Sequence, residues 1–154
     1  VPDQKPPRDV LDERGTLLLL LNYHRSSLAA KLDGLSDEQI SWSPVASGTS
    51  LRWLVEHLTR AEHLWILQRY CGHPGIFHRD TKDVSDLLAA YREVARQVDD
   101  VVLAAANLDG LTVTDAGGSP VTLRWIVMHL LEETARHAGH ADLIRELIDG
   151  ATGR

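Results

Sequence analysis

Apolar residues recur along most of the chain at the three- and four-residue spacing of amphipathic helices, and turn-forming residues interrupt them. A first helix is predicted from about Val10 to Leu32. Leu17, Leu18, Leu20, Leu21, Leu28 and Leu32 supply its apolar face, Arg14, Arg25 and Lys31 carry its charge, and Gly34 stops it. Ser36 to Gln39 has the form of a capping box and opens a short helical turn. Pro44 and the polar stretch 46–50 break that turn. Ser50 is placed to cap a second long helix that runs to about Cys71, with Gly72 and Pro74 behind it. After a loop over 72–83, Leu87, Leu88, Tyr91, Val94 and Val98 mark a third helix from about Val84 to Asn107. The segment from Leu108 to Val121 reads as a small hairpin or an irregular connection. Thr122 caps a fourth helix that continues to Asp149, with Gly150 after it. The pattern predicts an all-α four-helix bundle with long connections over 10–150, between flexible tails at 1–9 and 151–154.

Composition narrows the function classes. At 154 residues one domain is the default, burying roughly 70% of the unfolded surface. The single cysteine, Cys71, excludes an internal disulfide framework and a Cys-rich metal site, and no cationic neighbour marks it as reactive. A net charge of −6 argues against nucleic acid as a partner. The longest apolar run, Leu17 to Leu21, is too short to span a bilayer, and no signal-like segment opens the chain. A cytoplasmic, soluble protein is expected. Asp9, Asp12, Glu13, Asp99 and Asp100 read as solvated helix faces, and Trp42, Trp53, Trp65 and Trp125 as core or pocket wall.

Eight histidines stand against one Phe and one Met. Four possible ligands, His129, Glu133, His137 and His140, lie on the fourth helix. A four-residue step advances a helix by about 400°, so all four fall on one narrow face. Ile126 and Ile144 flank that face, which points it at the interior. A carboxylate there must pair, bind a cation or take up a proton. A divalent metal (zinc, nickel, iron or manganese) suits imidazoles with one carboxylate. Glu133 and His137 stand one turn apart, and His57 on the second helix is the best placed third ligand, on a face shared with Trp53, Ala61 and Leu64. The bland alternative is an ion pair between Glu133 and Arg136 or Arg60. His63 lies about 120° from His57 and should not share its site. His24, His73 and His78 carry weaker signals, the last two as solvated loop residues.

The segment 50–58 (SLRWLVEHL) is echoed by 122–130 (TLRWIVMHL), 72 positions on. Two capped amphipathic helices can converge on such a pattern. Alternatively the bundle is pseudo-twofold, with the second and fourth helices as equivalent neighbours and His57 and His129 at comparable depths.

From about Val10 to Gly150 the sequence resembles the DinB superfamily of metal-binding four-helix bundles, in the branch of mycothiol-dependent maleylpyruvate isomerase and mycothiol S-transferases. The carriers are 32–39 (LDGLSDEQ), 50–58 and above all 123–150, where LRWIVMHLLEETARHAGHADLIRELIDG stands. The resemblance implies that His57, Glu133 and His137 hold one divalent ion, zinc first, and that His129 and His140 orient groups or move protons. It implies mycothiol as a thiol cosubstrate, activated as thiolate against a small electrophile. Unlike the isomerase, the chain reads as a lone bundle without a further C-terminal domain, which puts maleylpyruvate in doubt as substrate. A non-catalytic, metal-stabilised binding bundle and a metal-dependent hydrolase stay open, as does a homodimer through the leucine-rich first helix.

Overall fold

A computed structural model describes residues 5–74, 81–113 and 118–153. His78 and residues 114–117 of the expected hairpin or irregular connection lie outside them. The described helices are α1 (Glu13–Ala30), α2 (Asp37–Ser41), α3 (Leu51–Glu62) with a π-helical continuation (His63–Tyr70), α4 (Val84–Ala104) and α5 (Leu123–Asp149).

The caps explain the boundaries. The Ser36 hydroxyl accepts from the Gln39 N–H while the Gln39 side chain accepts from the Ser36 N–H, completing the expected capping box. Ser50 and Thr122 accept from the backbone of Trp53 and Trp125, so the two echoed segments start their helices identically. Gly150 ends α5 at φ 75°, the left-handed conformation that glycine adopts without strain. Helix α1 begins at Glu13 rather than Val10 because the Asp12 carboxylate caps the Gly15 N–H at 2.7 Å. Asp12 is therefore a cap rather than a merely solvated acid, and Glu13 pairs with Arg124 of α5 at 2.7 Å. Among the described residues, the expected hairpin shrinks to one bridge between Leu111 and Thr122.

Around the bundle, α1 packs on α5, α5 on α3, α3 on α4 and α4 on α1. The connections after α1 and after α4 cross diagonals, which is why they are long. This order maps onto itself when α1 exchanges with α4 and α3 with α5. No described helix is long and apolar enough to cross a membrane.

The core is split in two. Leu28, Leu32, Leu54, Leu58, Leu87 and Ile144 belong to one apolar cluster, and Leu21, Ile66, Val98, Ile126 and Leu130 to the other. Between them runs a polar waist. Arg25 of α1 is 4% exposed rather than on a polar face, and Glu62 of α3 is fully buried. The guanidinium donates to both Glu62 oxygens, Nε to Oε1 at 2.9 Å, and its Nη1 reaches Asp99 at 2.7 Å. Asp99 also accepts from Asn22, so it is a structural acid and not surface charge. Lys31 is buried as well, against Asp142 at 2.6 Å. Leucines at helical spacing hid these cations, because a periodic apolar face does not reveal which flanking charges it carries inside.

Candidate metal centre

The waist continues to the α3–α5 seam. The helices run antiparallel there, since Trp53 meets His137, His57 meets Glu133, and Trp65 meets both His129 and Trp125. His57 Nε2 lies 2.9 Å from Glu133 Oε1, and His137 Nε2 lies 3.3 Å from the same oxygen. One donor atom from each of the three residues falls within 4.8 Å of the others. His137 is buried, while His57 and Glu133 are half-buried. The face thus points to the rim of the bundle rather than to its centre.

Electrostatics favour a cation here. Hydrogen bonding from His57 is the main force holding the Glu133 carboxyl below its ordinary range; burial opposes it and His137 assists. Burial pushes the His137 imidazole below its ordinary value, with Glu133 pulling partly back. A neutral imidazole is the form that binds metal. Both arginines weighed against a metal pair elsewhere: Arg60 reaches Glu56 at 4.0 Å, and Arg136 pairs with Glu132 at 2.6 Å. Among the described residues, two imidazoles meet the carboxylate. That donor set, clustered around one point, fits a divalent ion.

The other residues singled out from sequence fall into distinct places. His140 is exposed, and its Nδ1 lies 3.2 Å from Nδ1 of His137. It contacts the outer nitrogen of His137, as groups that orient a metal-ligating histidine do. His129 is outside the cluster. Its ring stacks on Trp125 at 5.0 Å and meets Trp65 edge-on at 5.3 Å. Trp53 stacks on His57 at 4.9 Å and fixes that ring. Trp42, Trp53 and Trp125 are all exposed, so these tryptophans are not core. His24 meets Tyr23 edge-on within α1, and His73 is exposed. Burial raises the Cys71 thiol, which leaves it a poor nucleophile.

A cavity of about 560 Å³ opens beside the cluster, lined by His57, Glu133, Ala61, Leu64, Trp65 and His129, with Arg60, His63 and Gln68. Its size is that of a small-molecule site. His63 was not expected next to His57. The N–H of His63 still bonds four residues back to Thr59, so the turn up to His63 is α-helical. It is the width of the cavity that brings both histidines to one wall; the π winding changes side-chain directions only beyond His63. No sequence signal marked that change. The echo between α3 and α5 was the one clue to the aromatic pairs around the cavity.

The family model of mycothiol S-transferases matches residues 16–150, nearly the whole chain, and the protein belongs to that family, within the DinB-like superfamily. Among solved structures, a conserved protein from Enterococcus faecalis shares the fold. Its TM-score is 0.67 at 13% sequence identity, over 92% of this chain and all of that one. No curated protein sequence matches this chain.

Proposed function

We propose that this protein is a divalent-metal-dependent mycothiol S-transferase that couples the thiol to a small electrophile. The observation that carries the reading is the His57–Glu133–His137 cluster, two of whose three ligands, His57 and Glu133, line a cavity of substrate size in a chain of this family. A divalent ion held there, zinc by the donor set, would lower the pKa of a bound thiol and favour its thiolate at neutral pH.

The chain's own residues have separable roles. His57, Glu133 and His137 bind the ion. His140 is a positioning residue: through the contact between the two Nδ1 atoms it holds the His137 ring so that Nε2 faces Glu133. His129, in the cavity wall beside Glu133, accepts the proton the thiol gives up. The sulfur electron pair then forms the new S–C bond while the leaving group departs with the pair of the bond it breaks. Where the electrophile is an alkene or a ring, the proton on His129 returns to the product. Only three protein ligands converge among the described residues, which favours an open catalytic position over a closed structural site. A reduced thiol cosubstrate suits a reducing cytoplasm.

The test is incubation of zinc-loaded protein with mycothiol and 1-chloro-2,4-dinitrobenzene, read by mass spectrometry. The expected product is the thioether, lost on chelation and in His57→Ala. Turnover that proceeds equally without thiol would replace this reading with a hydrolase.

A further inference from the structure

The echo between α3 and α5 extends from sequence into side-chain geometry. With the 72-residue offset, Trp53, His57, Ala61 and Trp65 correspond to Trp125, His129, Glu133 and His137. Three ring pairs repeat across that relation. Trp53 stacks on His57 at 4.9 Å, and Trp125 on His129 at 5.0 Å. His57 meets His137 at 4.9 Å with planes at 77°, and His129 meets Trp65 at 5.3 Å with planes at 76°. Trp53 meets His137 at 6.1 Å with planes at 77°, and Trp125 meets Trp65 more closely, at 5.2 Å with planes at 57°. The α3–α5 seam therefore holds the same constellation twice, related by a local twofold.

The two copies differ in chemistry. In one, a histidine faces Glu133 and His137. In the other, the equivalent histidine, His129, has Ala61 and Trp65 at those positions. Replacing a carboxylate by a methyl group opens space, and replacing an imidazole by an indole supplies a flat aromatic wall, backed by the Arg69 guanidinium 4.1 Å from the ring centre. The cavity of about 560 Å³ lies at this second copy, and His57 and Glu133 form its border with the first. Arg60 also lines it, and its ion pair with Glu56 is long, at 4.0 Å, which leaves the half-exposed guanidinium able to meet an anion as well.

We propose that this second copy is the electrophile subsite, and that it takes planar conjugated electrophiles with an anionic or nitro edge. The ring lies against Trp65 over the space left by Ala61, and the edge faces Arg60. An aromatic wall and a small apolar floor favour a flat ring over a flexible, hydroxyl-rich molecule. The thiol therefore enters from outside this cavity. The identity of the guest as electrophile rests on the transferase reading above; binding of the flat anion does not.

The probe is 4-nitrobenzoate, which has the expected shape and edge but undergoes no conjugation. Calorimetric titration of zinc-loaded protein should show saturable binding at one site. Ala61→Leu fills the floor and should weaken it tenfold or more; Trp65→Ala should do likewise, with Trp65→Phe restoring most of it. Arg60→Gln should weaken 4-nitrobenzoate more than uncharged nitrobenzene. His137→Ala removes a proposed metal ligand that does not line the cavity, and it should leave 4-nitrobenzoate binding within twofold. If the unaltered zinc-loaded protein binds 4-nitrobenzoate but forms no thioether with any thiol, the transferase reading fails and the subsite stands. Unchanged binding in both Ala61→Leu and Trp65→Ala overturns the subsite. So does competitive displacement of 4-nitrobenzoate by mycothiol alone, which would give this cavity to the thiol.

Discussion

Two glutamates sit at the waist of the bundle with opposite solutions to the same problem. Glu62 is fully buried and bound at both oxygens by Arg25, which Asp99 braces. Burial raises its carboxyl pKa, and Arg25 pulls against that rise, so the cation it needs is built into the chain. Glu133 is half-buried and meets two histidines that carry no fixed charge. It stays ionised chiefly through hydrogen bonding from His57. The first carboxylate is finished by the fold and is structural. The second is unfinished, and a cation from outside completes it. This contrast, more than the count of histidines, separates the site from the scaffold.

Breaking each cluster should therefore give different losses. The largest concerns the metal: Glu133→Gln or His57→Ala should abolish zinc retention after gel filtration, read by elemental analysis. In the metal-free state either change should move stability by less than about 1 kcal/mol, since the cluster is partly solvated. Arg25→Met should do the converse. It strands a buried carboxylate and should cost about 3–5 kcal/mol in urea unfolding, with the zinc stoichiometry of the folded protein intact. Equal loss of zinc in both classes of variant would erase the distinction.

Acid sharpens the same comparison. The folded-state pKa values of His137 and Glu133 both lie below their ordinary 6.5 and 4.5. The unfolded chain thus binds protons more readily, and metal-free stability falls as pH drops below those values. The His137 contribution fades first, below about 6.5, and the Glu133 contribution below about 4.5. Unfolding free energies from pH 8 to 4 should show this slope in the metal-free protein, and His137→Gln should remove its upper part. The smallest effect belongs to His140→Ala, which leaves the three ligands but frees the His137 ring. Zinc affinity should drop about 10–100-fold, as when an orienting partner is removed.

Much of this was legible in the sequence, for identifiable reasons. Caps carry their own local chemistry, so Ser36, Ser50, Thr122 and Gly150 marked helix ends correctly. Residues one turn apart on a helix must share a face, which brought Glu133 and His137 together before any tertiary contact was known. The inward face of the second long helix then supplied His57. What stayed hidden depends on partners distant in sequence or on a change of helical winding. Arg25 looks like surface charge until Glu62, 37 positions on, is folded against it. Asp99 looks like surface until Arg25 reaches it. The cavity wall that His63 and Trp65 share with His129 depends on how α3 packs on α5, and the π-helical winding from His63 to Tyr70 was announced by no residue pattern. The echo between α3 and α5 was visible, but whether it meant equivalent places in a pseudo-twofold bundle or convergence of two capped helices needed the ring geometry.

X-ray absorption at the zinc edge, with and without thiol, bears most directly on the completed carboxylate. The account expects zinc bound by two imidazole nitrogens at about 2.0–2.1 Å and one carboxylate oxygen at about 2.0–2.2 Å, with a non-protein light atom beside them. On adding mycothiol a sulfur should enter the shell at about 2.3 Å, and Glu133→Gln should remove the zinc signal. Zinc held by four protein ligands that no thiol disturbs, or a spectrum that Glu133→Gln leaves unaltered, would contradict it.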